Sequence, residues 1–134
     1  MELNTDTEKC ALFIDDDKAT NFINQHLAIN SNLFNKVITA NGAEEALIYL
    51  KKANEGDNIL PSIIFLDINM PAMDGWDFLN EYENLIFLEN KKIKIYMLSS
   101  SSRKEDIKKA NFNKNISGFI TKPITKQNLN QLLF

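Results

Sequence analysis

Short apolar runs alternate along the chain with longer segments in which apolar residues recur every three or four positions, and several of the short runs stop on a polar residue. The clearest is Ile63-Ile-Phe-Leu66, which ends on Asp67 and leads into Ile-Asn-Met-Pro-Ala-Met-Asp-Gly75. An unbroken apolar run predicts a strand covered on both faces, as in a parallel sheet between helices. Asp67 then stands at the carboxyl end of that strand, the edge where open α/β sheets bind ligands because the loops splay apart there.

The other elements follow in order. Lys9 to Ile14 is a first strand ending on Asp15, Asp16 and Asp17, and Lys18 to about Asn30 a first helix with Ala19, Phe22, Ile23 and Leu27 at helical spacing. Lys36 to Thr39 is a second strand. A second helix begins with Asn41 as its cap and Glu44 three residues on, its inner face being Ala43, Ala46, Leu47 and Leu50. After the central strand, Asp74-Gly75 opens a third helix running to about Asn90, with Phe78, Leu79, Tyr82, Leu85 and Ile86 inward. Lys94 to Leu98 is the fourth strand, and the serines after it lead into a capping box, Ser102 to Glu105, for a fourth helix. Ser117 to Ile120 is the fifth strand, and Thr125 caps a last helix that turns Leu129, Leu132 and Leu133 inward. Strands alternating with helices require right-handed crossovers and a helix-covered parallel sheet.

Composition sets the outer bounds. A chain of 134 residues, 44% hydrophobic and 25% charged, fits one globular domain. The first eight residues, polar and acidic, read as a flexible tail, and residues 9–134 as the domain. A net charge of −3 and scattered lysines argue against a nucleic-acid partner. No segment has the apolar length of a membrane span, so the expected setting is the cytoplasm, with no membrane partner. Cys10, the one cysteine, lies in an apolar run and reads as a buried core thiol. His26 has no second histidine to share a metal or a proton with, and takes no role.

The strand ends carry the chemistry. Asp15 and Asp16 follow the first strand, Asp67 the third, Ser99 the fourth and Lys122 the fifth. The plainer alternative is that the strand-terminal Asp and Ser residues merely cap the helices that follow them. Jointly that reading fails, because caps do not explain a lysine on the same edge as three acids. Where the first and third strands are neighbours, the three carboxylates crowd together, and each like-charge pair at ~4 Å costs about 4 kcal/mol at an effective dielectric of ~20. Such a cluster needs a cation or must hold protons, and an all-oxygen site with open positions suits Mg²⁺, for which the Asn69 carbonyl could serve as a further oxygen ligand. Lys122 and Ser99 would orient the oxygens of a phosphoryl group in transfer, and Asp67 could serve as nucleophile. Spacing does not decide whether the Lys122-Pro123 peptide is cis or trans.

With these residues in place the chain resembles the receiver domain of two-component response regulators. The matching pieces are Leu12-Phe-Ile-Asp-Asp-Asp17, Ile64-Phe-Leu-Asp-Ile-Asn-Met-Pro-Ala-Met-Asp-Gly-Trp76, Met97-Leu-Ser-Ser100 and Phe119-Ile-Thr-Lys-Pro123. The resemblance covers nearly the whole chain from Lys9. It implies a flavodoxin-like, doubly wound, five-stranded parallel sheet of order 2-1-3-4-5 with five helices. It also implies that Asp67 is the phosphoacceptor, that Asp15, Asp16, Asp67 and Asn69 hold Mg²⁺ with Asp16 as a direct ligand, and that Lys122 contacts the phosphoryl group. Ser99 matches the switch hydroxyl, and Phe119 the aromatic that swings inward with it.

The implied function is a stand-alone receiver that takes phosphate from a sensor histidine kinase or a His phosphotransfer protein and signals to a downstream target through a conformational switch. It would be no enzyme beyond catalysing its own phosphorylation and dephosphorylation. The resemblance assigns readout to the face of the fourth helix, fifth strand and fifth helix, with Ile107 and Phe119, and phosphodonor docking to the first helix, with Ala19, Asn21 and Phe22. The alternative is a receiver-like interaction scaffold not regulated by phosphorylation. A haloacid-dehalogenase-type phosphatase fits less well, because Asp67-Ile-Asn69 is mid-chain and lacks the second acid of an Asp-x-Asp nucleophile motif.

Overall fold

A computed structural model describes residues 9–85, 93–100 and 104–132 of the chain. The expected tail, residues 1–8, lies outside the described residues, as do Ser102, Ile86 and Leu133. The elements run β1 (Cys10–Ile14), α1 (Lys18–Asn30), β2 (Lys36–Ala40), α2 (Ala43–Asn54), β3 (Ile63–Asp67), α3 (Gly75–Asn84), β4 (Lys94–Ser99), α4 (Lys104–Asn111), β5 (Gly118–Thr121) and α5 (Lys126–Asn130). All strand pairs are parallel, in the order β2-β1-β3-β4-β5. This is the doubly wound sheet expected, with strand limits displaced by a residue or so.

Alternating residues of each strand build two apolar layers, since successive side chains point to opposite faces. Leu12, Ile14, Ile64, Leu66, Ile95 and Met97 pack with Ala46 and Leu50 of α2 and Phe78, Leu79 and Tyr82 of α3. Ala11, Phe13, Ile63, Phe65, Leu98 and Ile120 pack with Ala28 of α1 and Leu129 of α5. Phe13 and Phe65 stack across neighbouring strands at 4.5 Å between centroids. Both central strands are buried along their whole length, which is why they read as unbroken apolar runs. Cys10 is buried within this core.

Three local expectations are corrected. In α1 the buried residues are Asn21, Asn24 and Ala28, whereas Phe22 and Ile23 are 60% and 64% exposed. The inner face is set by short side chains and by a polar requirement at the sheet edge, and the apolar stripe, Leu27 apart, faces outward. In α2, Asn41 and Glu44 form no capping box: the N-cap is Gly42, with no side-chain cap bond. The side-chain oxygen of Asn41 accepts instead from Asn21 at 3.2 Å, and its N–H donates to Glu45 Oε1 at 3.0 Å. Third, α3 ends at Asn84 with Leu85 as its C-cap, short of Asn90. Thr125 caps α5 as expected, in a capping box with Asn128.

Candidate functional site at the carboxyl edge

Asp67 closes β3 and is paired in register with Leu98, so Ser99 stands one step further along β4. Ser99 pairs in turn with Thr121, which sets Lys122 just past the end of β5. The main chain holds this edge: Lys122 N–H donates to the Ser99 carbonyl at 2.7 Å, and Ile68 N–H to Leu98 at 3.0 Å. The Lys122-Pro123 peptide is cis, which the sequence left open.

The loop after Asp67 folds back on the strand. Gly75 N–H donates to the Ile68 carbonyl at 2.8 Å, and a Cβ on Gly75 would lie 2.9 Å from both the Asp67 carbonyl oxygen and Ile68 Cα. Only glycine permits that approach without backbone movement. α3 then starts from Asp74, which accepts from Asp77 N–H while Asp77 accepts from Asp74 N–H.

At the mouth of the sheet, oxygens of Asp15, Asp16 and Asp67 all lie within 4.8 Å of one another. Asp15 and Asp67 are buried and Asp16 is exposed. Asp15 Oδ1 accepts from Asp17 N–H at 2.9 Å, and Asp15 Oδ2 from the Lys122 ammonium at 2.7 Å. The same ammonium lies 3.5 Å from Asp67 Oδ1, which also accepts from Asn69 N–H at 3.4 Å. Burial, together with the Asp15 charge, pushes the Asp67 carboxyl up to about 6, and the Lys122 charge and the Asn69 hydrogen bond only partly oppose this. Burial pulls on Lys122 in the neutral direction, yet the Asp15 hydrogen bond and the Asp67 charge hold its pKa above the ordinary lysine value. Asp17 is not one of the three clustered acids: it caps α1 through Ala19 and Thr20 N–H, which keep its carboxyl below the usual range.

Thus Asp15, Asp16, Asp67 and Lys122 are brought together around one opening, and Ser99 is fully buried on the adjoining strand end. Asn69 is exposed on the loop beside them. Phe119, half-buried on β5, packs against the core layer that holds Met97. The oxygen-only donor set, two buried acids beside an exposed one, fits a hard cation such as Mg²⁺. Sequence reasoning missed Asn21, which it placed on a docking face. Its amide is buried and donates to the Asp15 carbonyl at 2.9 Å and the Ala40 carbonyl at 3.0 Å. The available signal was the spacing of Asn21, Asn24 and Ala28, a stripe of short side chains at helical intervals.

The whole described domain matches one family. The response regulator receiver domain model covers residues 11–134. The chain belongs to this family. It is 26% identical over 123 residues to response regulator Rcp1 of a Synechocystis strain, spanning 91% of this chain and 82% of that one. Among solved structures, a two-component response regulator from Cytophaga hutchinsonii superposes with a TM-score of 0.83 at 27% identity over 92% of each chain. A response regulator receiver protein from Dyadobacter fermentans gives 0.79 at 26% identity over 92% of this chain and 93% of that one. Receiver domains are the signalling modules of two-component systems; they interact with histidine kinases or phosphotransfer proteins and bind Mg²⁺ at an acidic pocket. Among the described residues no helix is long and apolar enough to cross a membrane.

Proposed function

We propose that this receiver accepts a phosphoryl group on Asp67 from a phosphohistidine of a sensor histidine kinase or a His phosphotransfer protein, in the cytoplasm. The observation that carries the reading is the Lys122 ammonium set between Asp15 and Asp67, 2.7 and 3.5 Å away, in a cluster of three carboxylates. Asp15, Asp16, Asp67 and the Asn69 carbonyl would hold Mg²⁺. When bound, the ion would offset the negative charge of the carboxylates and of the incoming phosphoryl oxygens.

An Asp67 oxygen attacks phosphorus in line, the P–N bond of the donor breaks, and the imidazole leaves with its electron pair and takes a proton. Lys122 neutralises charge on the phosphoryl oxygens, and the product is an acyl phosphate that water later hydrolyses back to Asp67. Ser99 is the hydroxyl drawn to the new phosphate. Phe119, one strand over and packed inward, senses that movement, so phosphorylation biases a two-state equilibrium read by a downstream protein. The outward apolar stripe of α1, with Phe22 60% exposed, suits docking of the phosphodonor, while Asn21, being buried, does not belong to it.

Incubation with a small acyl phosphate and Mg²⁺, followed by intact-mass measurement, tests this. A single phosphoryl adduct is expected, absent after chelation or in Asp67→Asn. Continuous turnover of added phosphomonoesters without an adduct would instead indicate a phosphatase.

A further inference from the structure

We infer that Asn21 is a positioning residue for the carboxylates of Asp15 and Asp16, an inference that rests on the metal-dependent reading above. Asn21 is 3% exposed, and three acceptors surround its side-chain nitrogen: the carbonyls of Asp15 and Ala40 at 2.9 and 3.0 Å and Asn41 Oδ1 at 3.2 Å. With acceptors alone around it, the nitrogen end of the amide is fixed without ambiguity. The other end, Oδ1, is buried and has no hydrogen-bond partner among the described residues.

A buried amide with an idle oxygen is costly, on the order of 1–3 kcal/mol. The donors are therefore the reason for an amide at this place, and an apolar side chain of the same shape would otherwise serve the core. What the donors hold is the turn that leaves β1. Asp15 N–H also donates to the Ala40 carbonyl at 3.2 Å, so one amide links the ends of β1 and β2 on both sides of that bond. Asp15 and Asp16 project from this turn, and Asp17 N–H completes it by donating to Asp15 Oδ1 at 2.9 Å. The peptide between Asp15 and Asp16 has its carbonyl clamped by Asn21, which fixes the direction in which both side chains leave the chain. Outer-shell groups of this kind typically change metal affinity by about 10–100-fold when removed.

The test compares Asn21→Leu, close in shape but without donors, with Asn41→Ala, which removes only the side-chain acceptor and leaves the Asp15 and Ala40 carbonyls in place. Mg²⁺ affinity is read by calorimetric titration and by the Mg²⁺-induced rise in melting temperature, which remains readable in a destabilised variant. Asn21→Leu should weaken Mg²⁺ binding about tenfold or more. At saturating Mg²⁺ its maximal rate of phosphorylation by a small acyl phosphate should stay within about threefold of wild type, so that the half-saturating Mg²⁺ concentration moves and the rate does not. Asn41→Ala should leave both unchanged. An Asn21→Leu protein that melts earlier but keeps the wild-type Mg²⁺ affinity would reduce Asn21 to a structural role and overturn the inference, as would an equal loss in Asn41→Ala. Loss of the adduct in Asp67→Asn is scored separately, so failure here is distinguishable from failure of the proposed function.

Discussion

The Lys122 ammonium lies 2.7 Å from Asp15 Oδ2 although 107 positions separate the two residues. The contact closes the functional edge, because it draws the end of β5 over the end of β1 and sets the cation against Asp67 between them. Lys122 therefore occupies the same carboxylates that would hold a metal ion, and its removal has two opposed effects. Lys122→Met should bind Mg²⁺ several-fold more tightly, since a competing cation is gone, while its phosphorylation rate falls by about 100-fold for want of a positive group at the phosphoryl oxygens. Calorimetry and rapid-quench phosphorylation separate the two; weaker Mg²⁺ binding would contradict the competition.

The raised carboxyl of Asp67 makes stability depend on pH. Its folded value, about 6 against the ordinary 3.8, means that the folded chain favours the protonated form. That contribution is full below about pH 4 and is lost as pH rises through about 6. Asp67→Asn, which mimics the neutral acid, should therefore be more stable than wild type by about 1–2 kcal/mol at pH 7.5 without Mg²⁺. The gap should shrink towards zero near pH 4. Denaturant melts at several pH values check it, and a gap that widens on acidification would contradict the assignment.

The same titration opposes metal binding. Because the ligand must be ionised, Mg²⁺ affinity should fall as pH drops below about 6, approaching tenfold per pH unit, and binding at pH 5.5 should release protons. Calorimetry in buffers of different ionisation enthalpy measures the protons directly. Flat affinity between pH 5 and 7.5 would show that Asp67 does not ligate the ion.

Gly75 tests the loop geometry. A methyl group there meets two backbone atoms at 2.9 Å, the Asp67 carbonyl oxygen and Ile68 Cα. Gly75→Ala should cost about 1–3 kcal/mol, from overpacking against atoms that have no alternative rotamer. It should also weaken Mg²⁺ binding, because the main chain at Asp67 must shift. Gly42→Ala, whose added methyl group meets nothing within 4 Å, is the control and should be nearly neutral.

Much of this was legible in the residues. Runs such as Ile63 to Leu66 are apolar because β3 is buried on both faces, so the sheet, its covering helices and the polar strand ends could be read directly. The convergence of Asp15, Asp16, Asp67, Ser99 and Lys122 followed from one topological fact, that all five follow or end parallel strands. What escaped were polar groups that serve the backbone. Asn21 faces inward because the carbonyls of Asp15 and Ala40 need donors, and hydrophobic periodicity is blind to that need. Asn41 looked like a helix cap, but its oxygen is engaged by Asn21. The outward Phe22 and Ile23 misled for the converse reason: their spacing is that of a core stripe although they face away from the core.

The most direct measurement of the central claim is reductive trapping. Borohydride treatment of the phosphorylated protein converts an aspartyl phosphate to homoserine, which peptide mass mapping then locates. The account predicts homoserine at position 67 alone, formed only when Mg²⁺ was present during phosphorylation. Homoserine at position 15, 16 or 17, or none at all despite a stable phosphoryl adduct, would contradict it.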